Sequence, residues 1–305
     1  MYSFIINPAS SSGRGLAVWK KVKAKLETEG ILYEAFLLAG PGEAGSLARE
    51  LSSRQEPCTL IVLGGDGTIN EVLSGIENLE SITFACIPSG SGNDFVRGLS
   101  LPQDPLKALE AVLHPKRYVS VNIGYLTCGS RRRSFGVSSG IGFDASVCNA
   151  AYRSALKDFL NTVHAGKLVY MLSALKLLFT QKRTSVTLTV DEGKTLFFPK
   201  AYFAAAMNLP CEGGGFRFCP EADPGDGCLD LCILNNVSRL HALFLLPLAL
   251  FGKHVNKKGI HILRCRKADL QVPVPLCVHT DGEIFGFEKN ISLSLAHQKL
   301  KVIQG

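Results

Sequence analysis

Three times in the first hundred residues a short apolar run closes on a turn built of Gly, Ser, Pro, Asn and Asp, and a helical pattern follows. Tyr2–Ile6 leads into Asn7-Pro8-Ala9-Ser10-Ser11-Ser12-Gly13, Thr59–Leu63 into Gly64-Gly65-Asp66-Gly67-Thr68, and Thr83–Ile87 into Pro88-Ser89-Gly90-Ser91-Gly92-Asn93-Asp94. Runs of this length between turn residues read as strands, and their alternation with helical patterns predicts an α/β unit with a parallel sheet. A further strand is expected at Leu32–Leu38, and helices at Leu16–Glu29, Ala44–Ser53, Thr68–Ser74 and Leu106–Leu113. Open α/β sheets bind ligands beyond the carboxyl ends of their strands, where all three turns lie.

After Tyr118 the pattern changes. Short β runs at Val119–Leu126, Ser134–Ser138, Ser185–Val190, Ala201–Met207, Cys228–Leu234, Ile260–Cys265, Leu276–Thr280 and Ile291–Leu295 follow with few helical stretches between them. This predicts a mainly antiparallel β-sandwich. The expected organisation is therefore a nucleotide-binding α/β domain over 1–119 and a β-sandwich over 120–291, with a tail from about 292 to 305 that can return to the first domain. Arg131–Arg133 reads as a solvated hairpin tip.

The 305 residues suffice for two domains, and 46% hydrophobic against 19% charged residues excludes a disordered chain. The net charge of +7 favours anionic lipid surfaces, phosphorylated substrates or nucleic acid without choosing among them. The start, Met1-Tyr2-Ser3-Phe4, has no basic region of a signal peptide, and Leu243–Phe251, interrupted by Pro247, is too short to span a bilayer. The ten cysteines have no zinc-site spacing and read as reduced thiols, so a cytoplasmic protein is expected. The seven histidines show no metal-binding pattern, and none is assigned a role.

The turn at Gly64–Thr68 is the strongest chemical signal. Its glycines permit close backbone approach, and the N–H groups opening the next helix can cradle a phosphate. The turn at Pro88–Asp94 again places an acid and an amide at a helix start, so two neighbouring turns can line one crevice. A P-loop ending in Lys-Ser/Thr is absent, as is a GxGxxG followed by an acid, so neither nucleotide fingerprint applies.

Together, NPxS near the start, Gly65-Asp66-Gly67-Thr68 continuing to Asn70-Glu71-Val72, and Pro88-Ser89-Gly90-Ser91-Gly92-Asn93-Asp94-Phe95 with Arg97 resemble the catalytic domain of the diacylglycerol kinase superfamily, in particular soluble bacterial lipid kinases and their sphingosine kinase relatives. The resemblance implies ATP held by Asn7, Pro8, Ser11, Gly65, Asp66, Gly67, Thr68, Asn70, Glu71 and Ser91, and a catalytic Mg²⁺ held by Asp66 and Asp94. Asn122 stands where the family carries a third acid of that network. The stretch Asp223-Pro224-Gly225-Asp226-Gly227-Cys228-Leu229-Asp230 is similar to the family segment ending in DGxLD, which implies a structural Mg²⁺ on Asp226 with the carbonyls of Asp223 and Cys228. His279-Thr280-Asp281-Gly282-Glu283 resembles the strand-end DGE, which implies Asp281 as base with Glu283 as its partner, the two being able to exchange roles. Gly140-Ile141-Gly142-Phe143-Asp144 is similar to a segment lining the lipid cleft, which points to Asp144 for head-group hydroxyls. The apolar helix from Gly166 to Phe179, with Lys167 and Lys176, suits acyl chains, a membrane surface or plain core packing.

The function implied is an ATP-dependent lipid kinase acting on a hydroxyl of diacylglycerol or a related amphiphile. Expected partners are a membrane lipid and an anionic membrane surface touched peripherally, with no nucleic acid and with a homodimer left open. Two alternatives stay: a kinase of a soluble acceptor resembling NAD kinase, and a catalytically silent lipid-binding protein of the same fold, the latter because of Asn122 and of Leu37-Leu38, where the family carries threonines.

Overall fold

Strands β1 (Tyr2–Ile6), β2 (Tyr33–Leu37), β3 (Cys58–Gly64) and β4 (Ile82–Pro88) lie in the order β2-β1-β3-β4, every pair parallel. Residues facing either side of β1, β3 and β4 are buried, which is why these read as unbroken apolar runs, whereas the edge strand β2 is partly exposed. On one face Phe4, Ile6, Ile61 and Leu63 pack against Val18, Trp19, Val22 and Leu26 of α1 (Ser10–Thr28) and Leu109 of α5 (Pro105–Leu113). Helices α2 (Glu43–Ser53), α3 (Asp66–Gly75) and α4 (Asp94–Gly98) complete this part. Helix α5 starts where its sequence says it should: Asp104 accepts from the N–H groups of Leu106 and Lys107, both at 3.0 Å, and Pro105 occupies the first turn.

The computed structural model describes residues 1–54, 56–152, 166–191 and 193–305, which form two units: Met1–Ile123 with His297–Gly305, and Gly124–Ala296. The side chain of Lys167 lies outside the described residues. In the first unit the last strand of the chain, β13 (Glu283–Ile303), pairs parallel with β4 through Lys301 and Val302.

The second unit is built mainly of antiparallel strand pairs. Strands β7 (Ser138–Gly142), β9 (Lys194–Met207), β10 (Leu229–Asn235) and β11 (Ile260–Cys265) are neighbours in turn, and β12 (Lys267–Thr280) lies between β7 and β13. β8 (Thr184–Val190) pairs with the remaining halves of β9 and β12. β12 changes partner where its register breaks between Gln271 and Leu276, a stretch holding Pro273 and Pro275, which have no N–H to give a ladder. The core between these strands includes Phe135, Leu188, Leu231, Val278 and Leu293. Among the described residues three helices cover the outside: α6 (Phe143–Tyr152), α7 (Gly166–Thr180) and α8 (Arg239–Leu250).

Two expectations are corrected. The segment Ser134–Ser138 is not one strand: β6 (Arg131–Phe135), the hairpin partner of β5 (Tyr118–Cys128), ends at Phe135, and β7 begins at Ser138. The glycine and valine between them donate their N–H groups to a side chain instead of to a ladder, as described below. Helix α1 begins before Leu16, but Ser11, Ser12 and Gly13 have φ of 46°, 57° and 92°, so the regular helix follows a left-handed kink.

Candidate active site

Because Ile6, Leu63 and Ile87 are in register across β1, β3 and β4, the three turns that follow leave the sheet side by side. Their side chains lock them together. Asn7 Nδ2 donates to Thr68 Oγ1 at 2.9 Å, and Asn7 Oδ1 accepts the Ala9 N–H at 3.1 Å, so one amide joins the first turn to the second. The hydroxyls of Ser10 and Ser89 meet at 2.6 Å and join the first turn to the third. The second and third touch backbone to backbone: a Cβ on Gly90 would lie 2.6 Å from the Gly65 Cα, and one on Gly65 3.0 Å from the Gly90 Cα. No other residue allows that approach.

Asp66 sits at the N-terminus of α3 and accepts the Phe95 N–H, at the start of α4, on Oδ1 at 3.2 Å. Asp94 is buried and ion-paired with Arg97, whose guanidinium also donates to the Gly92 carbonyl at 2.8 Å. Both carboxylates converge on Gly92, where a Cβ would lie 2.6 Å from Asp66 Oδ2 and 3.8 Å from Asp94 Oδ2. An all-oxygen donor pair suits a magnesium ion, which here would take Oδ2 of Asp94, on the Gly92 side, while Arg97 holds Oδ1. Burial and the charge of Asp66 push the Cys86 thiol well above its ordinary range, so it stays protonated. Left-handed Ser11 and Ser12 store backbone strain in the first turn, as functional turns do. Gly67 and Glu71 lie on α3, where Glu71 accepts the Gly42 N–H at 3.0 Å; Asn70 is fully buried, Pro8 is half-buried and Ser91 is exposed.

The second unit holds the other candidates. Asp281 and Gly282 have φ of 51° and 83° and form the two-residue turn between β12 and β13, with Thr280 and Glu283 paired on either side. The Asp281 carboxylate accepts three backbone N–H groups, from Gly136 at 2.9 Å, Val137 at 2.8 Å and Ser138 at 3.0 Å, and its own N–H returns to the Ser138 carbonyl at 2.8 Å. Asp281, expected as the base, anchors the β6–β7 connection, and three of its roughly four acceptor sites are taken by backbone N–H groups. Among the described residues none donates a hydrogen bond to Glu283, whose carboxylate is partly exposed.

Asp144 is buried at the start of α6, and its Oδ2 lies 3.2 Å from His279 Nε2. Gly140 makes that contact possible, since a Cβ there would lie 1.8 Å from Asp144 Oδ2. Gly282 donates its N–H to His279 Nδ1 at 3.0 Å, which leaves the proton of a neutral ring on Nε2, facing Asp144. Burial opposes charge on this imidazole, but Asp144, Glu212 and Asp281 outweigh it and raise the group to about 9. A second ring proton would meet the Gly282 N–H, so protonation and that contact are alternatives. Glu212, also buried, accepts from the Ser138 hydroxyl. Asp144 Oδ1 is buried with no hydrogen-bond partner among the described residues.

The expected structural Mg²⁺ site does not fit. Asp226 Oδ1 accepts the Cys228 N–H at 2.8 Å, and Oδ2 is ion-paired with Arg264, a cation already in place. The Asp223 carbonyl, the expected backbone ligand, accepts the Asp226 N–H at 3.4 Å. Arg264, His279 and Glu212 carry no expected role in the sequence. His279, two residues before Asp281 on one strand, could have been found from the two-residue period; nothing local marks the other two.

Residues 1–125 match the family described as the diacylglycerol kinase catalytic domain, and residues 137–304 match the YegS C-terminal NAD kinase beta sandwich-like domain. The chain is 33% identical over 288 residues to the Bacillus subtilis (strain 168) protein named "Putative lipid kinase YtlR", covering 93% of both. To the diacylglycerol kinase of the same organism it is 29% identical over 289 residues, covering 92% of this chain and 89% of the relative. Two solved structures share its fold. A diacylglycerol kinase from Bacillus anthracis str. Sterne superposes with a TM-score of 0.72 at 20% identity, over 100% of this chain and 96% of the other. An NAD kinase from Archaeoglobus fulgidus in complex with ATP superposes with a TM-score of 0.55 at 12% identity, over 99% and 93%.

Proposed function

This chain belongs to the diacylglycerol kinase catalytic-domain family and is an ATP-dependent kinase that transfers phosphate to a hydroxyl, and we propose that its acceptor is diacylglycerol or a related amphiphile reached at an anionic membrane surface. The observation that carries the nucleotide half is the locked set of turns, in which Gly65 and Gly90 touch and Asp66 and Asp94 converge on Gly92. Asn7, Pro8, Ser11, Thr68, Asn70 and Ser91 would border the phosphates from these turns and the α3 start, with Glu71 tying α3 to the Gly42 N–H. Mg²⁺ on Asp66 and Asp94 would neutralise charge on the transferred phosphoryl group.

The acceptor oxygen bonds to the γ-phosphorus, ADP leaves, and the hydroxyl proton must pass to a base. Glu283, whose carboxylate no described donor occupies, is the better candidate for that base; Asp281 shapes the turn that carries it. Asp144, with its unpartnered Oδ1, is proposed to accept a hydrogen bond from the lipid head group.

The test is γ-labelled ATP with Mg²⁺ and a mixed lipid extract. Label recovered in an organic-phase phospholipid is expected. Label transferred to NAD and not to lipid would overturn the lipid acceptor, and lipid binding without transfer would point to the silent protein.

A further inference from the structure

Helix α8 is apolar on two opposite faces. Beyond Arg239 and His241 it carries no polar residue. Ala242, Leu245 and Ala249 form one row and are buried with Phe203, Cys232 and Leu234. Leu240, Phe244, Pro247 and Phe251, spaced by four, three and four residues, form a second row turned outward; Leu240 is 63% exposed, Phe244 73% and Phe251 71%. A helix apolar all round has its second face covered by something. Helix α7 packs beside it in the same cluster, and the ends are tied by Arg183 donating to the Val237 carbonyl at 2.6 Å. α7 also shows an outward row, Met171, Leu175 and Phe179, at four-residue spacing.

The charge of the chain says what that cover is. Residues 166–190 and 231–268, which contain both helices, hold eleven of the 33 Lys and Arg residues and none of the 26 Asp and Glu residues, so the rest of the chain is net negative by four. Arg264 is spent on Asp226 and Lys267 on Asp269, but Lys253, Lys257 and Lys258, in the turns that follow α8, are exposed, and no described acid pairs with them. The Lys253 N–H bonds the Leu248 carbonyl, which holds this turn against the helix end. No described helix is long and apolar enough to cross a membrane. An apolar face with a cationic rim on a short helix is the composition of an element that lies in the lipid interface. A second copy of the chain would bring like charge to like charge.

We propose that the outward faces of α8 and α7 are the surface by which this protein docks on an anionic lipid bilayer, with Phe244 and Phe251 entering the acyl boundary and the lysines after α8 meeting the head groups. This rests on the proposed lipid-kinase function only for the place where the acceptor is found.

The test compares the parent with Phe244→Ser/Phe251→Ser and with Lys253→Glu/Lys257→Glu/Lys258→Glu, using vesicles of phosphatidylcholine alone or mixed with phosphatidylglycerol. The parent should sediment with the anionic vesicles. The serine variant should lose that binding by about tenfold or more, as expected for withdrawing two buried aromatic side chains. The glutamate variant should lose the preference for anionic over neutral vesicles. Both should phosphorylate a short-chain monomeric acceptor at the parental rate. Phe244→Trp/Phe251→Trp, a conservative pair, should keep binding and show a blue-shifted emission on adding vesicles. Equal sedimentation of parent and both variants would overturn the proposal. So would a parental dimer that Phe244→Ser/Phe251→Ser dissociates, because the face would then belong to a second copy. If no lipid is phosphorylated in any presentation while the vesicle pattern stands, the docking face holds and the lipid-kinase function fails.

Discussion

Two acids two residues apart can do different work, and here the backbone decides which. Asp281 spends its carboxylate on the N–H groups of Gly136, Val137 and Ser138, while Glu283 has no described donor. Glu283→Gln should therefore lower kcat by about 10²–10⁴ with little change in the KM for ATP, read by steady-state kinetics. Asp281→Asn should act on stability first, since its amide would turn an N–H toward backbone donors; a loss of about 1–3 kcal/mol is expected in chemical denaturation. Parental kcat in Glu283→Gln would return the base to Asp281. His279 offers a pH test. Its folded value of about 9 lies above the ordinary 6.5, so the stability it contributes is full below about pH 6.5 and is lost as pH rises through 9. The parent Tm should fall over that window relative to its value at low pH, and His279→Gln should not show this slope. A flat parent profile would mean that the Gly282 N–H keeps Nδ1 unprotonated throughout.

At the scale of elements, the approach of the β3–α3 turn to the β4–α4 turn depends on two missing side chains. Gly90→Ala places a methyl group 2.6 Å from a backbone carbon that cannot move without its strand, so about 1–3 kcal/mol of stability should be lost and ATP should bind more weakly, read by Tm and by nucleotide titration. Unchanged ATP affinity would separate this contact from the phosphate site. In the DGxLD loop the deciding partner is remote in sequence. The loop's likeness to a metal-binding segment is local, but Arg264 reaches Asp226 from 38 residues away and supplies the positive charge. Arg264→Gln should therefore open the loop to Mg²⁺, and added Mg²⁺ should raise the Tm of that variant by more than that of the parent, as mass action requires of a ligand bound only by the folded state. Equal shifts would show that Arg264 does not hold the place of the ion.

For the whole molecule the relevant quantity is where its +7 lies. With the acids absent from the stretches that carry α7 and α8, raising ionic strength from about 0.05 to 0.5 M should weaken association with anionic vesicles steeply and leave binding to neutral ones nearly unchanged, because the screening length shrinks severalfold. What the sequence by itself determined is what depends on neighbours along the chain: apolar runs of strand length, glycine turns at their ends, the Asp104-Pro105 helix start and the Asp281-Gly282 hairpin turn, each set by φ preferences and hydrogen bonds within a few residues. What only the tertiary structure decided is which polar groups meet. Asp281 takes donors 143 to 145 residues away, Asp144 meets His279 across 135 residues, and Asp226 takes Arg264, because a carboxylate is satisfied by whatever donor folding brings within 3 Å, and local sequence carries no record of it.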